Sequence, residues 1–228
     1  MTGWAEVMEA TWPPAAVRDL GPWRLRDGAG GGKRVSAATA ERPWDASDLE
    51  CAEAAMVQPL FQIRPEDAAL DAALAGRGYR RIDPVVVYEA PVAGFEPPPR
   101  MTTFPHWPPL EIAVDLWAEG GIGPARLAVM QRALGPKVAI LARGADRAAG
   151  VAYVALHGST AMLHALEVTP ALRRQGSAQH ILRAAAVWAQ DMGADTLSLV
   201  VTEANAAARS LYASLNMQVV GHYHYRER

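Results

Sequence analysis

Residues 173–178 read Arg-Arg-Gln-Gly-Ser-Ala, between a strand-like "AMLHALEV" and a helix-like "HILRAAAVWA". Helices prefer acidic residues at their start, because the backbone dipole leaves that end positive. Two arginines and a glycine there reverse the preference. A strand ending at Val168, a short loop through Thr169 and Pro170, and Gly176 entering a helix would aim several free backbone N–H groups one way. With the dipole they form a seat for a phosphate, and glycine lets an anion approach the main chain closely. Arg173 and Arg174 could neutralise further phosphate charge by paired hydrogen bonds. The same six residues also read as a surface arginine pair with no ligand.

Three other stretches invite a chemical reading and support it less. The glycine-rich "DGAGGGKR", 27–34, lacks the G-x-x-x-x-G-K-[ST] spacing, since Arg34 stands where a magnesium-binding hydroxyl would be. It reads as a flexible hairpin turn between "PWRLR" and "KRVSAAT". The single cysteine, Cys51, excludes an internal disulfide and reads as a small core residue on a helix. "HYHYR", 222–226, reads as a terminal strand whose alternating His and Tyr provide too few ligands for a metal.

The elements that must position the loop follow from periodicity. "LEIAVDLWAEGG" and "GPARLAVMQRALG" read as two helices, the second running from Pro124 to Gly135 with Leu127, Val129, Met130 and Leu134 on its apolar side. "KVAILARG", "GVAYVALHG" and "AMLHALEV" read as three strands. Next comes a helix with Ile181, Ala185, Trp188 and Met192 on one face, ended near Gly193. "TLSLVV" reads as a strand, "AAARSLYASL" as a helix capped by Asn205, and "QVVGHYHYR" as a last strand. Hairpin strands followed by β-α-β units imply an α/β protein, a mixed sheet with helices on its faces.

The 228 residues fit one large domain or two small ones. Prolines at 91, 97, 98, 99, 105, 108 and 109 mark an extended connector. The expected division is 1–93, a linker over 94–109, and 110–228. The first part contains an echo of the second: "LFQIRPEDAALDAALAGRGYRRIDPVVVY" has the rhythm of "LVVTEANAAARSLYASLNMQVVGHYHY". Placing Gly78-Tyr79 on Asn216-Met217 brings Asp67 onto Asn205 and Leu74 onto Tyr212, so both helices begin with a good cap. An internal duplication and two unrelated units of similar rhythm are both compatible with that.

Formal net charge is −2, with half the residues hydrophobic and a fifth charged. Such a chain can bury a core, and it lacks the global field that would gather nucleic acid or anionic lipid. No secretory signal and no long apolar span are legible. A soluble cytoplasmic protein is therefore expected, acting without nucleic acid or membrane; a homodimer is compatible with the sequence.

Arg-x-x-Gly-x-Ala after "LEV-TP" resembles the acetyl-CoA pyrophosphate loop of the GNAT N-acetyltransferase superfamily. "LVVTEANAAARSLYASLNM" is similar to that family's strand, Asn, two-alanine helix, Leu-Tyr and closing helix end. The resemblance runs from about Lys137 to the end, and extends more loosely back to Leu110. Asn216-Met217 stands where Gly-Phe is common; Asn tolerates the left-handed backbone and Met fills the apolar slot. "GPWRLRDGAGGGKRVSAAT" resembles the opening of tandem members, whose first half lacks a working loop. The resemblance thus implies a GNAT-like fold of two tandem halves, the first degenerate.

It also implies roles. The main chain at Leu166 and Val168 would pair with the pantetheine arm, an N–H there polarising the thioester carbonyl. Arg173, Arg174, Gln175, Gly176, Ser177 and Ala178 would hold the pyrophosphate. Asn205 would contact the pantetheine as well as capping its helix. Tyr212 would protonate the departing thiolate, or simply pack as an aromatic. A base is wanted for the amine. Strict alternation puts Met162, His164, Leu166 and Val168 on one face; Met162, where some members have glutamate, cannot take a proton, whereas His164 titrates near neutrality. His164 is equally readable as a satisfied strand histidine. Glu167, on the other face, Glu203 and water are the remaining candidates. The implied activity is acetyl transfer from acetyl-CoA to a primary amine, on a small molecule or peptide, by direct attack in a ternary complex without a metal. The competing reading is a catalytically silent acyl-CoA sensor or scaffold.

Overall fold

The structure, a computed structural model, describes residues 3–228. In chain order its elements are α1 (Trp4–Thr11), β1 (Ala16–Leu20), β2 (Trp23–Asp27), β3 (Thr39–Ala40), α2 (Ala46–Ala54), β4 (Leu60–Ile63), α3 (Ala68–Gly76) and β5 (Arg80–Pro91). They continue as β6 (Thr103–His106), α4 (Glu111–Glu119), α5 (Pro124–Arg132), β7 (Lys137–Gly144), β8 (Arg147–His157) and β9 (Thr160–Val168). The last are α6 (Ser177–Asp191), β10 (Thr196–Thr202), α7 (Ala206–Ser214) and β11 (Gln218–Glu227).

Eight strands form one mixed sheet in the order β4-β11-β5-β10-β9-β8-β7-β6, and β1-β2-β3 form a small second sheet. The proline-rich stretch 94–109, expected as a linker, provides the edge strand β6, which pairs antiparallel with β7. Strands from both sides of it share the large sheet, for β5 lies between β10 and β11.

That arrangement has an internal symmetry. The placement of Gly78 on Asn216 carries the β4–β11 ladder pairs Ile63↔His224, Gln62↔Tyr225, Phe61↔Arg226 and Leu60↔Glu227 onto Val201↔Val86, Val200↔Val87, Leu199↔Tyr88 and Ser198↔Glu89. Those are the observed pairs between β10 and β5. The helix ends match too: Tyr79 N–H donates to the Leu74 carbonyl, and Met217 N–H to the Tyr212 carbonyl, both at 3.0 Å. Gly78 and Asn216 both have left-handed backbone, at φ 85° and 57°. Each half thus donates its last strand to the sheet beside the other half.

The sheet's two faces bury different helices. α6 and α7 cover one, with Ile181, Leu182, Ala185 and Tyr212 packed on Ile140, Val154, Leu163 and Leu199. α4 and α5 cover the other, with Trp117, Val129 and Met130 packed on Ala139, Val151 and Tyr153, and Trp12, just after α1, joins them. Three expectations need correction. The helix begun at Pro124 stops at Arg132, and Leu134 is 100% exposed instead of joining an apolar side. Met192 is the exposed C-cap of α6, not part of its buried face. Cys51 is on α2 but exposed, outside the core.

Candidate active site

β9 and β10 pair in parallel only from Thr160↔Thr196 to Leu163↔Leu199. Beyond that β10 continues along β5 and β9 along β8, so the sheet opens between them. The opening is part of a cavity of about 630 Å³, whose walls include Leu163, His164, Leu166, Val200, Asn205 and Tyr212.

A β-bulge shapes one lip. His164 pairs with Tyr153 but Glu167 with Val151, leaving an extra residue on β9, and Ala165 takes a left-handed φ of 52°. The buried indole of Trp117 donates from Nε1 to the Ala165 carbonyl at 2.8 Å, satisfying the acceptor that the bulge frees from the ladder. The bulge overturns the alternation expected here. Leu166 packs with Leu163 toward α6. His164 instead stacks on Trp12, on the α4–α5 face. Glu167 reaches the end of α4, so close to Gly120 that a Cβ there would meet its carboxyl carbon at 2.7 Å. Burial raises its carboxyl above the usual range, against the pull of Arg173 and Arg126.

Next in the chain is the expected anion loop. Pro170–Leu172 form a short 3-10 turn, Arg173 donates from Nε to the Val168 carbonyl at 3.1 Å, and Arg174 is left-handed at φ 62°. Gly176 is the N-cap of α6 at φ 88°, a conformation that costs other residues roughly 1–2 kcal/mol. No side chain caps this helix and no acid stands in its first turn. α1, α3, α4 and α5 likewise begin without a side-chain cap bond, whereas α2 begins with a complete Asp45/Asp48 capping box, and Asn205 caps α7 by accepting from Ala208 N–H at 3.1 Å. The first helical N–H bonded back along the chain is that of His180, to Gly176. A 15-residue helix therefore presents an uncapped start beside two exposed arginines. These features fit a diphosphate. The loop stands outside the cavity walls, as does Val168, which pairs with Gly150.

Tyr212 and Leu166 reach the cavity from the α6–α7 face. Tyr212 is 5% exposed and meets Tyr88 at 5.4 Å between ring centroids. Burial, with Tyr88 adding, pushes its hydroxyl up to about 12, so it carries its proton at neutral pH. Asn205 lines the same cavity. Its Oδ1 serves the cap, and its amide N–H groups have no role in that bond.

His164 is 3% exposed and both its ring nitrogens are engaged. Arg34 lies 3.0 Å from Nδ1, and because a guanidinium only donates, Nδ1 accepts. Nε2 then carries the hydrogen and donates to Thr11 Oγ1 at 2.9 Å, while Thr11 donates to the Val7 carbonyl at 2.7 Å. Burial foremost, and the Arg34 charge second, hold its pKa well below the ordinary histidine value. A proton-accepting His164 is thus at odds with its surroundings, because protonation would set two cations face to face. Glu203 lies outside the cavity walls, 3.9 Å from His222, and Glu167 is likewise not among those walls.

The cavity also draws on residues that local sequence patterns do not mark. Trp12 and Arg34 come from the first quarter of the chain, and Tyr223 and Tyr225 from β11. Lys33 and Asp83 pair at 2.7 Å across the lining. The glycine loop that delivers Lys33 and Arg34 is closely packed rather than a loose hairpin: a Cβ at Gly31 would meet Val129 at 2.6 Å.

The profile described as the acetyltransferase (GNAT) family matches residues 104–217. The chain belongs to the GNAT acetyltransferase family. Among solved structures it resembles a GCN5-related N-acetyltransferase from Kribbella flavida, at 15% identity and TM-score 0.72, over 98% of this chain and 93% of that one. A functionally unknown conserved protein from Staphylococcus epidermidis matches at 10% identity and TM-score 0.70, over 95% and 94%. A tandem GNAT protein from the clavulanic acid biosynthesis pathway matches at 16% and 0.60, over 95% and 84%. At these identities the likeness is one of fold. No curated protein matches the sequence.

Proposed function

We propose that the chain is an acetyl-CoA-dependent N-acetyltransferase in which coenzyme and amine reach the opened sheet from opposite faces. The observation that carries the reading is the parting of β9 and β10 after Leu163 and Leu199, followed by the uncapped start of α6. Residues 173–178 would hold the diphosphate, Leu166 would lie along the pantetheine arm, and Asn205 would donate to it. Val168 has its carbonyl engaged by Arg173, which leaves Leu166 the better placed of the two.

When bound, acetyl-CoA supplies an activated acetyl thioester. A neutral primary amine forms the new N–C bond while the C–S bond breaks, and the amine loses one proton. Tyr212, protonated and on the coenzyme side, donates a proton to the leaving sulfur. Glu167, which reaches the end of α4 just outside the cavity walls and has a raised carboxyl, is the group we assign to receive the amine proton, through water. His164 is a fixed neutral part of the wall. We propose no acyl-enzyme, the described cavity walls including neither Cys nor Ser.

In this reading residues 1–93 are a second GNAT-like half without a coenzyme loop, which walls the acceptor side. The matching ladder registers support it. Thiol release from acetyl-CoA on mixing with an amine panel tests the proposal. Amine-dependent release supports it, and CoA binding without release returns the silent sensor.

A further inference from the structure

Two cavities meet at Arg34. One is the cavity already described, and the other, about 610 Å³, lies among α1, β2, β3 and β4. Arg34 and Trp12 line both. The carboxylates around these cavities are committed to other partners. Glu9 pairs with Arg26, and Glu41 with Arg64 and the Thr39 hydroxyl. Glu6 pairs with His157 and Asp83 with Lys33. Arg34 is half-buried and has no ion pair among the described residues; it hydrogen-bonds the neutral His164 ring, lies 5.9 Å from the Trp12 ring centre by its guanidinium carbon, and is near enough to Tyr225 for its charge to act there. An imidazole lone pair satisfies one of five N–H donors and none of the charge. A guanidinium partly withdrawn from water without an anion is costly, and the fork it presents matches a carboxylate. Arg126 faces the same cavity from α5; it makes no ion pair among the described residues, although its charge acts on Glu167. Both arginines are on the acceptor side of the sheet, with Trp12 and Ile122.

Resting on the acetyltransferase reading above, we propose that the acceptor is an amine that also bears a carboxylate, an amino acid or similar small zwitterion, whose carboxylate is held by Arg34 with Arg126 nearby. This class excludes polyamines, whose second cation would face the arginines. Trp12 and the Tyr223 and Tyr225 rings would then flank the remainder of the acceptor.

The experiment uses the full chain. CoA binding is measured by calorimetry, and thiol release by acetyl-CoA turnover with matched pairs: the common amino acids against their carboxamides, plus spermidine. Turnover should favour the carboxylate member of a pair. Arg34→Gln should raise KM for that member about ten- to a hundredfold, the worth of one charge-assisted bond, and raise it clearly less for the carboxamide, with CoA affinity within a factor of two or three. Arg34→Lys, which keeps the charge without the fork, should retain part of the preference and guards against reading misfolding as specificity. Equal turnover of carboxamides or preferred turnover of spermidine would overturn the acceptor class alone, whereas turnover of nothing in the panel by a chain that binds CoA would overturn the acceptor class and the transferase reading together. Absence of CoA binding would instead overturn the reading on which it rests.

Discussion

The Trp117 indole donates to the Ala165 carbonyl at 2.8 Å, and this bond joins α4 to the residue that bulges out of β9. Around the bulge three neighbouring side chains face different ways: Leu166 toward α6, His164 toward Trp12, and Glu167 toward the end of α4. Trp117→Phe keeps the aromatic packing but strands a buried acceptor, which costs about 1–3 kcal/mol. We expect a lowered Tm together with reduced kcat, as the slot loses its fixed edge. Unchanged kcat in a stably folded variant would mean that the bulge holds its shape without the indole.

Tyr212→Phe removes the proton that the leaving sulfur is proposed to take. Turnover should fall by about 10²-fold or more, with CoA affinity within a factor of two or three. Steady-state kinetics beside calorimetry separates the two. A variant with wild-type turnover would leave Tyr212 only its packing against Tyr88.

Glu167→Gln tests the proposed proton acceptor. Burial raises the Glu167 carboxyl, so its base form should be lost as pH falls through a value above the ordinary carboxylate range. Activity of the wild type should show that acidic limb, and the variant should have a lower plateau without it. The stability sign is opposite. A raised carboxyl pKa favours the fold at low pH and the contribution is lost as pH rises, so Glu167→Gln should not lower Tm near neutrality.

Asp71 joins the halves elsewhere. It accepts from His224 Nε2 and Arg226 Nε, both at 2.7 Å, and so ties α3 to the exchanged strand β11. Chiefly the Arg226 bond, opposed by burial and helped by His224, lowers its carboxyl from 3.8 to about 2. The depressed pKa stabilises the fold above about pH 4, and the contribution disappears as pH falls toward 2. Allowing for its partial exposure, Asp71→Asn should cost about 1–2 kcal/mol at neutral pH and flatten the acid limb of Tm against pH.

Local pattern carried much of this site into view. The helix start at 173–178, the Asn205 cap and the helix that carries Tyr212 are recognisable because a helix start and a helix face are fixed by neighbours in sequence, while the roles given to them come from the resemblance to the GNAT family. The echo between the halves was legible for the same reason, and its register recurs in the ladders of β4 and β10. What alternation could not reveal was the bulge at Ala165, since the group that satisfies it, Trp117, is 48 positions away. The pairing of Arg34 with His164, 130 positions apart, is equally beyond local pattern, and it is what turns a plausible base into a fixed neutral ring. Likewise β5 reads as a strand, but nothing near it says that it enters the sheet between β10 and β11.

The structure of the complex with CoA tests the central claim most directly. It should place the diphosphate on the N–H groups that open α6 and the thiol in the gap between β9 and β10 beside Tyr212. A coenzyme bound on another surface, with those amides left to water, would contradict it.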